Sequence, residues 1–438
     1  MRFCILADDL SGAGDTGLEF FRHGLPTVIC LKPPVPASAA LVLDSESRHL
    51  DAAAARQRVR AFFPVGFFSA SPMLYYKKVD STLRGNIGTE LDELRARLRL
   101  PVVFTPAFPL MGRTVTDGQL LVEGVPVHMT YIGQDPQAPV RSAFLADALG
   151  GADALLRRQD LRDSRRLRAL LADGASLCCD AVTDADLREL VRACIAVRAP
   201  EEILWAGSAG LANALLDVLP LRNAPLPGSE PQAARLPLFF MVGSANPVSR
   251  AQAERVGGHG GVASVFLNMD AMLHDAAAEE GRLAADILER LAQGRHTMFC
   301  STAPGTRVAP EHSVAVSALC GRVACRVLRA AQAGLLFAAG GETAARCLGE
   351  LACTQLAVEG AVSMGIPYAR MQNGLCAGLP LITKAGGFGG ENLLLELCAK
   401  YGGSDAGYVQ CGSRNSLLKN RLRPLTQVSG PPQRRRKN

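Results

Sequence analysis

Apolar runs of strand length recur along the chain, each ending in small, acidic or glycine residues and followed by a stretch whose apolar positions return at helical spacing. That alternation predicts an α/β fold with mainly parallel sheets and crossover helices. In the first half the predicted strands are Phe3–Ala7, Thr27–Leu31, Ala40–Leu43, Leu74–Val79, Val102–Thr105, Ser176–Cys179 and Ile203–Ala206. Helices are predicted at Gly12–His23, Ala52–Phe62, Ile87–Leu98, Asp184–Val197 and Ala209–Val218. The pattern restarts with strands at Leu238–Val242, Ala263–Leu267, Thr297–Ser301, Gly334–Ala338 and Leu379–Lys384.

Between the two series, residues 221–236 are dense in proline and polar residues, where a continuous helix or strand is costly. The expected organisation is therefore an N-terminal domain over 1–220, a linker over 221–236, a C-terminal domain over 237–412 and a basic tail over 413–438. A length of 438 residues agrees with two domains of roughly 200 residues each. Much of the net charge of +6 comes from Arg434, Arg435, Arg436 and Lys437, a solvated end with no interleaved aromatic residues. Neither a nucleic-acid partner nor a membrane is expected. Thirteen cysteines without a C-x-x-C pair read as buried thiols in a reducing cytoplasm.

Chemistry concentrates where strands hand over to helices, the carboxyl edge at which open α/β sheets bind ligands. In ADDLSGAGDTG, Asp8 and Asp9 follow the first strand and precede glycines. Paired carboxylates there can accept from substrate hydroxyls, hold Mg2+ through water or take a proton, although one of them could simply cap the helix. In KKVDSTLRGNIGTEL, Lys78, Asp80, Ser81, Thr82 and Arg84 suit an anionic, hydroxylated molecule, since guanidinium binds carboxylate as a fork and hydroxyls add oxygen-directed donors. A salt-linked surface turn would carry some of the same residues. Arg48 is a further guanidinium beyond a strand, which an exposed salt bridge would explain equally well. Gly112–Gly118 adds an arginine and hydroxyl cluster that is weak taken alone.

Three glycine-bearing loops follow strands in the second half: Gly243-Ser244-Ala245-Asn246, Gly340-Gly341-Glu342-Thr343, and Lys384 through Gly386, Gly387 and Gly389. Their backbone N–H groups can cradle phosphate, Thr343 can add a hydroxyl to phosphate or metal, Glu342 can hold Mg2+ or a ribose hydroxyl, and Lys384 can neutralise phosphate charge. No G-x-x-x-x-G-K-[ST] run exists, so ATP would bind in another way. The absence of a G-x-G-x-x-G run after a strand argues against a dinucleotide oxidoreductase. A binding protein without turnover is the other rival.

Together these motifs, with PAFPLMGRTVTDG, GSAGLA and GGETA, resemble the four-carbon acid sugar kinase family, which includes threonate, erythronate and 3-oxo-tetronate kinases. The resemblance implies an N-terminal domain for the sugar acid, a C-terminal domain for ATP, and chemistry in the cleft between them. It places Asp8, Asp9, Arg48, Lys78, Asp80, Ser81, Thr82 and Arg84 on the acid side. Ser244, Gly340, Gly341, Glu342, Thr343, Gly386, Gly387 and Gly389 fall on the nucleotide side. Where the family has G-S-C-S this chain has Ala245 and Asn246, and Ala385 replaces a serine, so retuned ATP binding is expected. Asp9 or Asp80 is expected to take the hydroxyl proton, with Mg2+ and ATP as cofactors. The sequence leaves room for a homodimer.

Overall fold

The computed structural model describes residues 1–63, 73–135, 138–221, 236–244, 246–258, 261–331 and 333–402. All but Leu221 and Leu236 of the expected linker, and the whole expected tail, lie outside them. The two predicted α/β halves are present, and their sheets are joined into one of 15 strands. In spatial order the back half contributes Val262–Phe266, His296–Cys300, Leu238–Val242, Leu335–Ala339, Pro380–Lys384, Ile366–Met371 and Gln355–Ser363. The front half continues with Thr27–Cys30, Ala40–Asp44, Arg2–Ala7, Met73–Lys78, Leu204–Gly207, Val102–Thr105, Ser176–Cys179 and Ala154–Leu156. A separate three-stranded sheet, Arg113–Thr116, Gln119–Val122 and Val125–Pro126, stands beside the front half.

The parallel strands are buried on both faces because crossover helices cover each side. Ala40–Asp44, Leu238–Val242 and Leu335–Ala339 are buried at every position. The joint between the halves is antiparallel: Gln355, Leu356 and Ala357 pair with Cys30, Ile29 and Val28. Two further antiparallel pairings, Gln355–Ser363 with Ile366–Met371 and that strand with Pro380–Lys384, lead into the back half. Three reversals leave the parallel strands of one half running against those of the other. A twist of about 20–25° per step over the six steps from Leu335–Ala339 to Arg2–Ala7 offsets most of that reversal. The two carboxyl edges therefore converge.

Register aligns the ends that matter. Ala7 stands opposite Asp44, and Lys78 opposite Gly207, so the turns at Asp8, Ser45, Val79 and Ser208 leave the front sheet side by side. Ala339 pairs with both Val242 and Lys384, which brings Gly243, Gly340 and Ala385 to one edge of the back half.

Candidate active site

A cavity of about 570 Å³ lies where these edges meet, lined from both halves. Of the residues expected at the site, Asp8, Asp9, Arg48, Lys78, Asp80, Ser81, Thr82 and Arg84 line it from the front half. Ser244, Gly340, Gly341, Glu342, Thr343, Gly386 and Gly387 line it from the back. Lys384 and Gly389 do not.

Arg48 organises the front wall. It is far from the exposed salt bridge that its sequence context allowed, since its side chain keeps only 9% of its exposure. Nε and Nη2 donate to Asp8 at 2.9 Å, while Nη1 and Nη2 donate to Asp9 at 2.7 Å. Asp80 lies 3.4 Å from Nη1. The turn carrying Arg48 is fixed by its backbone: Ser47 and Arg48 N–H both donate to the Asp8 carbonyl, and the Asn86 amide donates to the Ser47 and Leu50 carbonyls. Beneath it, the buried Lys77 ammonium meets Glu90 at 2.7 Å, and Ser47 donates to the same carboxylate. Asp8 is also walled by Gly85, whose φ of 97° requires glycine; a Cβ there would stand 2.8 Å from Oδ2.

Asp80 accepts from the Thr82 N–H at 2.7 Å and from the Thr82 hydroxyl, and Arg84 Nη2 donates to it at 2.8 Å. Although burial opposes ionisation, Arg84 and Arg48 hold its carboxyl far below the usual range. For Asp8 the balance runs the same way: burial would raise it, but Arg48, Lys77 and Lys78 keep it low. Asp9 does cap the Leu10–Arg22 helix, accepting the Gly12 N–H at 2.9 Å. Asp80 is locked as an anion between two guanidinium groups, and both Asp9 oxygens are engaged by Arg48.

The back wall is built from close backbone approaches. Gly340, at φ 107°, precedes the Gly341–Glu350 helix with no side-chain cap, leaving first-turn N–H groups for an anionic ligand. A Cβ on Gly340 would lie 3.3 Å from the Ser244 nitrogen, and one on Gly386 would collide with the Ser244 hydroxyl. Asn246 caps its own helix by accepting the Val248 N–H at 2.9 Å; Ala245 lies outside the described residues. The two walls meet at Gly341, where a Cβ would stand 2.6 Å from Ser11 Oγ and 3.6 Å from Asp9 Oδ2.

Lys384 is assigned a different place from the one expected. Its ammonium is buried and donates to Ser249 Oγ at 2.9 Å and to the carbonyls of Ala385, Gly386 and Phe388. It shapes the glycine loop from behind rather than facing a phosphate. Gly389 sits on that inner side too, its carbonyl accepting from Gln252. Glu342 faces the cavity and accepts the Ser317 hydroxyl at 2.9 Å.

Sequence reasoning passed over Asp15, Glu46, Ser208 and Asp135, all of which line the cavity. Asp15 carried a usable signal, because it lies four residues after Ser11 and so on the same helix face. Glu46 carried none, since its position depends on a φ of 47°.

The family model for a sugar-binding N-terminal domain matches residues 3–215, and the model for a nucleotide-binding C-terminal domain matches residues 239–394. A D-threonate kinase of Salmonella typhimurium is 31% identical over 430 residues, 90% of this chain and 97% of its own. The chain belongs to the four-carbon acid sugar kinase family. Within it, a D-threonate kinase of Bordetella bronchiseptica is 33% identical over 90% of this chain and 95% of that one. A 3-oxo-tetronate kinase of Methylobacterium radiotolerans is 29% identical over 88% and 96%. A crystal structure of a Haemophilus influenzae protein shares the fold, with a TM-score of 0.69 at 21% identity over 91% of this chain and 100% of that one.

Proposed function

We propose that the chain transfers the γ-phosphoryl group of ATP to the terminal hydroxyl of a four-carbon sugar acid, with D-threonate the first acid to test. One observation carries this reading: a single cavity presents a guanidinium and carboxylate wall and a glycine wall that touch at Gly341, Ser11 and Asp9. Triphosphate suits the open helix end at Gly340 and the Ser244 and Gly386 turns, where glycines keep Cβ atoms away from the backbone N–H donors. The acid suits the opposite wall. Its hydroxyls can bond to Asp8, Asp9 and Ser81, and Arg84, one-third exposed, offers its guanidinium to the carboxylate.

Among the described residues no group of three or more His, Cys, Asp or Glu side chains is placed to hold a metal ion. Mg2+ needs no such cage, because it binds through phosphate oxygens with one or two carboxylates, and Glu342 with Thr343 fits that part. When bound, the ion neutralises charge on the phosphate oxygens. The protein's own share is position: phosphoryl transfer depends mainly on aligning the hydroxyl with phosphorus and balancing charge. All 12 described cysteines are free, which suits a reducing cytoplasm. Among the described residues no helix is long and apolar enough to cross a membrane.

The test is ADP release in the presence of Mg·ATP over the stereoisomeric four-carbon acids. Turnover with one of them is expected. Thermal protection by ATP with no ADP formed from any acid would instead indicate a sensor that binds without catalysis.

A further inference from the structure

On the kinase reading above, the attacking hydroxyl loses its proton as it bonds to phosphorus, and the carboxylates that hold the substrate are already committed. Asp8 and Asp9 share the Arg48 fork, and Asp80 lies between Arg84 and Arg48. Asp15 differs from all three. It lines the cavity one turn beyond Ser11, and its carboxylate makes no hydrogen bond or ion pair among the described residues. It also faces the back half: a Cβ on Gly365 would stand 3.5 Å from Asp15 Oδ1, with the Phe388 ring in the same corner. The unpaired carboxylate therefore sits on the seam between the acid wall and the nucleotide loops.

We propose that Asp15 is the general base of the phosphoryl transfer. As the terminal hydroxyl oxygen bonds to the γ-phosphorus, its O–H bond breaks and the proton passes to an Asp15 oxygen. The bond from phosphorus to the β,γ-bridging oxygen breaks, and its electron pair leaves with ADP.

The surroundings suit that role. Burial pushes the Asp15 carboxyl up to about 6; Lys78 and Arg22 oppose the shift, while Glu19 and Asp9 add to it. Tyr76 is a further titratable group that interacts with it. A carboxylate of this basicity is ionised at neutral pH yet accepts a proton more readily than an ordinary aspartate. Lys78 is steadied by the Val79 carbonyl at 2.9 Å, close to the same helix turn, and supplies positive charge beside the reacting oxygen. Glu46 is the one rival with a raised value among the carboxylates lining the cavity, but its Oε1 already accepts the Leu10 N–H and it belongs to the turn that carries Arg48.

The experiment is a pH profile of kcat and kcat/KM by ADP release, using D-threonate or whichever four-carbon acid the wild type phosphorylates. Asp15→Asn is expected to lower kcat by about 10²-fold or more. It should also abolish the acidic limb that the wild type shows near pH 6, while ATP still raises the melting temperature as it does in the wild type. Asp15→Glu keeps a carboxylate and is expected to keep the limb at a lower kcat, which covers the case in which the asparagine variant does not fold. Glu46→Gln is expected to keep the limb whatever it does to affinity. An Asp15→Asn enzyme within a few-fold of wild type, one that retains the limb, or loss of the limb in Glu46→Gln instead, would overturn the assignment and leave the kinase reading standing. A wild type inactive on every four-carbon acid would overturn both.

Discussion

Arg48 and Asp9 form a two-pronged pair, with Nη1 on Oδ2 and Nη2 on Oδ1, each at 2.7 Å. The same guanidinium takes Asp8 through Nε and Nη2. One planar cation thus holds two neighbouring carboxylates that would otherwise repel each other, and only arginine has donors enough for both. Arg48→Lys is accordingly no conservative change. Unfolding in urea should show a loss of about 2–4 kcal/mol, because buried carboxylates lose their partners. The KM for the acid should rise about tenfold or more, with the ATP KM little altered. An unchanged acid KM would mean that the cluster serves the fold alone.

Gly341 has ordinary helical geometry, so an added methyl group brings no backbone strain, and its effect reports the contact between the walls. A Cβ there would sit 2.6 Å from Ser11 Oγ. Gly341→Ala is expected to lower kcat/KM by at least about tenfold, the scale of a 1.4 kcal/mol misfit. Removing the hydroxyl in Ser11→Ala/Gly341→Ala should recover part of the loss. If the double variant shows simple additivity in steady-state kinetics, the two walls do not meet in the working enzyme.

The parallel strands were legible because burial on both faces leaves unbroken apolar runs; Val102–Thr105 and Ser176–Cys179 match the predicted bounds. The hairpin Gln355–Ser363 and Ile366–Met371 was not, since its first strand is half-buried with register shifts between Val358 and Gly360 and between Ala361 and Ser363. The joining of the halves at Cys30 and Gln355 was equally hidden, because local pattern does not say which sheet edges meet. At the site, the turn motifs marked the right segments but not the relations within them. Arg48 looked ordinary because its three carboxylate partners come from two other strand ends. Lys384 looked like a phosphate ligand because sequence does not show that Ser249 and three carbonyls surround its ammonium.

That placement of Lys384 gives a distinct expectation for Lys384→Met. The side chain fits a buried slot, but Ser249 Oγ and the Ala385 carbonyl lose their donor, the Gly386 and Phe388 carbonyls keep only Ser249 and Gln252, and the loop from Ala385 to Phe388 loses its anchor. Leaving such groups unsatisfied costs about 1–3 kcal/mol each where water cannot reach them. The melting temperature should fall by several degrees. The ATP KM should rise about tenfold while the acid KM stays within about twofold, as steady-state kinetics against each substrate would show. Equal rises in both would contradict a role confined to the nucleotide loop.

Glu46 links the site to the stability of the whole fold. Its Oε1 accepts the Leu10 N–H at 3.2 Å, its own N–H donates to Asp44 Oδ1 at 3.1 Å, and Asp44 Oδ2 is buried without a partner. Burial, with the Asp9 charge added, pushes Glu46 up to about 7 from an ordinary 4.5, and burial with the Glu46 charge raises Asp44 well above the carboxylate range. The native protein therefore keeps protons that the unfolded chain has released. Stability from Glu46 is complete in acid and is lost as pH climbs from about 4.5 through about 7, and the Asp44 contribution is likewise lost towards alkaline pH. Asp8 and Asp80 are shifted downwards, so their contribution is present above about 4 and is lost only in stronger acid. The opposed slopes place maximum stability near pH 5, and the melting temperature of the ligand-free protein should decline from there to pH 8. Glu46→Gln carries no charge to bury and should flatten that decline, with a gain at pH 8 bounded at about 3 kcal/mol. A wild-type melting temperature that is level or rising from pH 5 to 8, or a variant that declines just as steeply, would show that the Glu46 proton is not held by the fold.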